Sequence, residues 1–240
     1  MQNFANPTRF LALANALLPW VWAAALILLG LGLYGALITA PADYQQGETV
    51  RIMYVHVPAA WLSLFAYGVM AFASAIAIIF RHPLADAAAK VAAPIGAAFC
   101  FIALATGSLW GKPMWGAWWV WDARLTSMFV LMLFYLGYIA VWQAVEEWDL
   151  AASIARVVAL VGAINIPIVK FSVDWWNTLH QPSSVFKMGG PAISNDMLWP
   201  LLVMGLAFNI LFVALHLTAL RSEIAARKLH RLHMHDVGAL

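Results

Sequence analysis

The stretch Trp110-Gly-Lys-Pro-Met-Trp115-Gly-Ala-Trp118-Trp119-Val-Trp121-Asp122-Ala-Arg124 sets five tryptophans within twelve residues. Membrane-interface belts place one or two such rings at a helix end. Five in one connection make a shelf of apolar and π surface with indole N–H groups at its rim. The natural partner of such a shelf is a flat aromatic macrocycle. Two histidines flank the stretch, each two residues before a proline: His56-Val57-Pro58 and His180-Gln181-Pro182. Singly, either would be an ordinary solvated or interfacial side chain. Beside a tryptophan shelf, the pair suits axial ligation of a haem iron from its two faces. Both axial positions are then filled, which leaves no place for oxygen and fits a carrier better than an oxygen-handling protein.

The other polar groups near the shelf carry two readings each. Asp122 precedes the apolar run that opens at Leu125, so it is placed to cap a helix. Arg124 can pair with Asp122 or meet a carboxylate of the ligand. Haem has two propionates, and Arg51, Lys112, Arg124 and Lys187 are the cations positioned to meet them, Arg51 and Arg124 first among them. Each can equally flank a span in water. Lys170 and Asp174, four apart, are spaced to pair on one helix face.

Long apolar elements must position these groups. The 240 residues are 64% hydrophobic and only 10% charged, too few charges to coat a water-facing surface. Apolar runs lie at about 20–40, 58–80, 91–110, 125–145, 154–171 and 199–220. Each approaches the ~20 helical residues that a bilayer core demands. A lipid-exposed sheet edge has no partner for its backbone groups, and no alternation of polar and apolar residues is present. The expected fold is all-α: a polytopic membrane protein of about six transmembrane helices, forming one domain over 1–240.

Six spans put both termini on one side. Lys and Arg decide which. Arg9, Arg81, Lys90, Arg156, Arg221, Arg227, Lys228 and Arg231 fall on the side of the termini, against Arg51, Lys112, Arg124, Lys170 and Lys187 on the other. The bias places both termini in the cytoplasm, with a basic tail over 221–240. The outer segments are then 41–57, 111–124 and 172–198, and of the seven histidines only His56 and His180 are outer. The stretch before Pro19 lacks the basic start and cleavage site of a signal peptide, so the first span is expected to remain.

Several chemistries are excluded or weak. The net charge of +2 gives no reason to expect nucleic acid. Cys100 is the single cysteine, and no CxxCH attaches a haem covalently. Gly107-Ser-Leu-Trp-Gly111-Lys112-Pro113 fails as a phosphate loop in spacing, and Pro113 stands where Ser or Thr should hold magnesium. His216, within the last span, reads as an interhelical hydrogen-bond donor. His230, His233 and His235 read as solvated tail. No carboxylate sits in mid-span, as a proton relay would require.

Trp115-Gly-Ala-Trp-Trp-Val-Trp-Asp122-Ala-Arg-Leu-Thr126, in a six-span chain with one histidine in each flanking outer segment, resembles the WWD signature of the CcmC family. These are haem-handling proteins of bacterial cytochrome c maturation, and the resemblance covers essentially the whole chain. The related CcmF and CcsA-type proteins carry extra spans and histidines that this sequence lacks. The resemblance implies non-covalent, b-type haem held at the periplasmic surface of the bacterial inner membrane. His56 and His180 match the family's axial ligands, and Trp115, Gly116, Trp118, Trp119, Trp121 and Asp122 its WWD residues. It also implies presentation of haem to the chaperone CcmE. The expected setting is an ABC-type complex with the ATPase CcmA and the membrane subunits CcmB and CcmD, so the chain is expected not to be an enzyme in its own right. Two alternatives remain from the residues alone. A transporter moving haem through its own helices needs ligating groups at mid-depth, where His216 is the candidate. A small cytochrome b-like electron carrier needs paired histidines inside the spans.

Overall fold

The computed structural model describes residues 7–180, 185 and 188–237, the side chains of Pro83, His230, Arg231 and 233–237 aside. Lys187 and the side chains of His230, His233 and His235 therefore lie outside the described residues. Among those described, helix is the regular structure throughout. The order is α1 (Pro7–Tyr34), α2 (Met53–Phe80), α3 (Pro83–Trp115), α4 (Ala123–Ala144), α5 (Trp148–Ala163), α6 (Asn165–Trp175) and α7 (Asn195–Val237). A π turn, Gly35–Thr39, extends α1, and a 3-10 turn, Glu48–Ile52, leads into α2. Six of the resulting helical stretches are long and apolar enough to cross a membrane, α5 and α6 together making the fifth.

Most spans overrun their apolar cores at one end or both, because interfacial residues still gain backbone hydrogen bonds by staying helical. Pro83 starts α3 in the first turn, where its missing N–H costs nothing. At the other end α3 runs through Pro113 to Trp115, so much of the expected outer segment 111–124 is helix. Gly116 then stops it in the left-handed conformation (φ 75°), its N–H donating to the Lys112 carbonyl at 3.0 Å. α2 begins at Met53, with Pro58 inside it. His56 accordingly lies within the first turns of α2 and not just before it, as expected from Pro58 alone. The preceding 3-10 turn has already nucleated the helix, and the proline forfeits only one bond to Tyr54. α7 continues unbroken through the basic tail to Val237.

The fifth span is broken at Ile164. Pro167 cannot donate to Ala163, and its ring crowds that carbonyl. Just past the break, the buried Asn165 ties α6 to α4 by donating from Nδ2 to the Ser127 carbonyl at 2.8 Å.

α2 and α3 form the centre, and each packs on α4, α5 or α7. Small residues let their backbones approach: Ala59, Ala66 and Ala73 on α2, and Ala89, Ala93 and Ala103 on α3, are buried. Buried tyrosines fill the remaining space and donate to helix carbonyls, Tyr135 to Ser63 at 2.7 Å and Tyr67 to Val158 at 3.3 Å. A hydroxyl left without an acceptor in this medium would be costly. α1 packs mainly along α7, antiparallel, fixed by Trp22 donating to Thr218 at 3.2 Å and Arg221 to Asn15 at 3.0 Å.

The end of the bundle away from His56 and His180 holds a charged clasp. Glu223 of α7 accepts from Lys90 of α3 at 2.9 Å and from Arg227 at 2.8 Å. Lys90 also lies over the rings of Trp142 and Trp148, 4.8 and 4.9 Å from their centroids. Arg156 of α5 grips both oxygens of Asp86 of α3. These pairs tie α3, α4, α5 and α7 together where the spans leave the apolar core.

Candidate functional site

His56 and His180 arrive from different elements, and each meets a ring of the tryptophan segment. The His56 ring stands edge-on to Trp110, with centroids 5.7 Å apart. The His180 ring stands edge-on to Trp115 at 4.8 Å. Trp110 and Trp115 both belong to the last turns of α3, so the two imidazoles stand against the same end of that helix.

Each imidazole has its Nδ1 occupied. Thr106 on α3 donates its hydroxyl to the Ile102 carbonyl at 2.6 Å, so its oxygen is free to accept from His56 Nδ1 at 3.1 Å. Asp122 uses its two oxygens separately. Oδ1 accepts from the Leu125 N–H at 2.8 Å and caps α4, as the sequence suggested, while Oδ2 faces His180 Nδ1 at 3.3 Å. With Nδ1 as the donor in both rings, Nε2 keeps its lone pair. That is the tautomer a metal-ligating histidine adopts when a further group orients it. Burial lowers the His180 pKa below its ordinary 6.5, against the opposing pull of Asp122. The ring is thereby kept neutral and able to ligate.

The tryptophans do not form one flat shelf. Trp110 is part of α3 and donates to Gln46 at 2.9 Å. Trp115 ends α3 against His180. Trp118 and Trp121 are exposed, 55% and 75% of their surface open. Trp119 turns inward between Trp121 (5.5 Å) and Phe129 (6.1 Å), and its buried indole Nε1 has no hydrogen-bond partner among the described residues. The loop is fastened to α3 by Ser108, which donates to the Trp118 carbonyl at 2.7 Å, and by Lys112, which donates to Gly116 at 3.0 Å. Gly116 thus contributes a turn that only glycine makes without strain.

The cations are partly committed. Arg51 pairs with Glu48, and its Nη1 donates to the Ala36 carbonyl at 2.6 Å. Arg124 makes long hydrogen bonds to Ser172 Oγ (3.3 Å) and the Lys170 carbonyl (3.4 Å). It stands in the first turn of α4, two residues after Asp122, the partner of His180. The alternative Asp122–Arg124 pair does not form, since Asp122 is turned to His180 and to the α4 amide. Lys170 and Asp174 likewise make no pair with each other among the described residues. Asp174 acts on Arg124 instead. Lys170 borders an apolar cleft of about 420 Å³ between α2, α6 and α7, walled by Trp61, Phe65 and Ile166. Among the described residues His216 makes no interhelical hydrogen bond: its ring stacks on Phe212, one turn earlier, at 5.4 Å, and its buried Nδ1 has no partner there.

The donor set fits haem. It offers two imidazoles each held at Nδ1, edges of Trp110 and Trp115 beside them, a buried indole N–H at Trp119 with no partner among the described residues, and Arg124 next to the Asp122 cap. Sequence reasoning missed Thr106, Gln46 and Ser108. Gly107 was missed too: a Cβ there would lie 3.0 Å from His56 Cε1, so its lack of a side chain makes room for the ring. Nothing local marks Thr106, which is fifty residues from His56 and looks like any helical threonine bonded to its own backbone.

The family model described as "CcmC: Heme exporter protein C" matches residues 1–235. A Heme exporter protein C of Bradyrhizobium diazoefficiens is 61% identical over 97% of this chain and 88% of its own length. That of Rhodobacter capsulatus is 44% identical over 98% of this chain and 97% of its own, and that of Escherichia coli 43% over 92% and 88%. With the family model covering nearly the whole chain and such relatives aligned end to end, this chain belongs to the CcmC, or Heme exporter protein C, family.

Proposed function

We propose that the chain binds one haem non-covalently between His56 and His180 at the periplasmic face of the bacterial inner membrane and hands it to the chaperone CcmE. The observation that carries this reading is the pair of imidazoles at one end of the bundle, each with an oxygen partner at Nδ1 that would leave Nε2 to ligate. The membership of the Heme exporter protein C family supports the choice of ligand. Trp115 and Trp110 flank the ring edges, Trp119 supplies a buried N–H, and Arg124 meets a propionate. Arg51 is the second propionate cation in this reading, which requires it to leave Glu48. Both termini and the charged clasp then face the cytoplasm. No nucleotide-binding motif is present in the sequence, so work on release comes from partners: the ATPase CcmA, acting with CcmB and CcmD.

The test is formation of covalent holo-CcmE in cells carrying His56→Ala or His180→Ala in the full complex. Each variant is expected to lower holo-CcmE at least tenfold. Normal transfer by both variants overturns the ligand assignment.

A further inference from the structure

The two histidines are oriented by unlike groups. His180 faces a carboxylate, Asp122 Oδ2, at 3.3 Å; His56 faces a neutral hydroxyl, Thr106 Oγ1, at 3.1 Å. A carboxylate accepting the Nδ1 proton draws it away from the ring and pushes electron density to Nε2, which raises ligand basicity. A hydroxyl whose own proton is committed to Ile102 accepts the same hydrogen bond but supplies no charge. The hydroxyl fixes ring orientation and tautomer and does little more.

The surroundings extend the difference. Asp122 is pinned by capping α4, so His180's partner cannot swing away without opening a helix end. His56 stands against Gly107, where a Cβ would come within 3.0 Å of its Cε1. Its place depends on the Thr106 hydroxyl, the neighbouring Ala103 carbonyl, the Trp110 edge and the space that glycine leaves, all of them uncharged.

We infer that Thr106 is a positioning residue for His56, and that the unlike hydrogen-bond partners make the His56–iron bond the weaker axial bond, the one that opens on release while His180 stays attached. This rests on the haem reading above. Bound haem would leave His56 by ligand dissociation without redox change: His56 Nε2 would take back its lone pair while Nδ1 stayed against Thr106, which would leave room for a donor of the receiving protein.

Carbon monoxide reads this directly, because it binds ferrous haem only where an axial position has opened. The haem-loaded, dithionite-reduced full chain is mixed with CO and the adduct followed by absorbance. Thr106→Val keeps the shape of the side chain and removes the acceptor. It is expected to speed adduct formation by about tenfold or more, the lower end of what loss of such a partner costs a metal site. Thr106→Ser restores the hydroxyl and is expected to return the rate toward wild type. A purely structural threonine would give the same rate in all three proteins.

Which bond opens is read from glycine variants. His56→Gly is expected to keep haem through His180 and to give a CO adduct with the same iron–carbon stretch as wild type. His180→Gly is expected to retain much less haem and to give a different stretch. Added imidazole, by restoring a low-spin spectrum, shows that a variant is folded. A wild-type adduct matching His180→Gly, or a Thr106→Val rate equal to wild type, overturns the inference. A wild-type protein that never takes up low-spin haem removes the haem reading itself, and this inference with it.

Discussion

Asp122 does two jobs with two oxygens, and an amide cannot do both. In Asp122→Asn one oxygen remains. It can accept from the Leu125 N–H, now 2.8 Å from Oδ1, or from His180 Nδ1, now 3.3 Å from Oδ2. The NH2 group must face the other donor. Capping wins, because the Leu125 amide is fixed by the helix whereas the imidazole can turn, and Asn caps as well as Asp. His180 then loses its orienting acceptor. Loss of such a partner typically costs a metal site 10- to 100-fold in affinity, or about 1.4–2.7 kcal/mol. Asp122→Ala loses the cap as well, costing about 1 kcal/mol more of fold stability. The assay is haem titration of the detergent-purified protein by absorbance, beside the thermal midpoint of the haem-free form. The expected pattern is a 10- to 100-fold weaker haem affinity in both variants, with the midpoint lowered clearly only in Asp122→Ala. Wild-type haem affinity in Asp122→Asn would refute the two-oxygen argument.

Three further outcomes follow from packing and charge. Gly116→Ala places a Cβ at φ 75° and is expected to cost about 1 kcal/mol, read as a lowered thermal midpoint, and to loosen the tryptophan loop that Lys112 and Ser108 hold to α3. Gly96→Ala drives a methyl into the ring of Tyr135, whose hydroxyl donates to Ser63. An overpacked core of this kind loses about 1–3 kcal/mol, and thermal unfolding in detergent should show it, whereas Gly68→Ala, with open space around its Cβ, should not. Burial holds the His180 pKa below 6.5. A histidine kept neutral in the fold contributes stability that is fully present above 6.5 and lost as pH falls from there through the lowered folded value. The thermal midpoint of the haem-free protein should therefore drop between pH 7 and pH 5, and less so in His180→Asn.

Much of this architecture is legible in the chain, for identifiable reasons. Six spans follow from run length, because a bilayer sets one dominant dimension. Asp122 announces its cap by standing just before the apolar run. The ends were harder to read. His56 was placed ahead of its helix because Pro58 resembles a start, yet the 3-10 turn at Glu48–Ile52 begins the coil earlier. The break at Ile164 had a signal in Pro167, but the Ser127 carbonyl that accepts from the neighbouring Asn165 is thirty-eight residues from it. Thr106 is the clearest case of what a linear reading cannot reach. Its contact with His56 exists only because α2 and α3 pack as antiparallel neighbours at that height. Arg51 shows a mixture: its Glu48 partner lies at readable i, i+3 spacing, whereas the Ala36 carbonyl becomes visible only once the π turn after α1 folds back toward α2.

The visible absorption spectrum of the haem-loaded, detergent-purified chain, before and after dithionite, tests the central claim most directly when wild type is set beside His56→Ala and His180→Ala. Bis-histidine ligation predicts sharp low-spin bands for reduced wild type and a high-spin or haem-free spectrum for each variant. Unchanged low-spin spectra in both variants would contradict it, and the iron would have to find its ligands elsewhere.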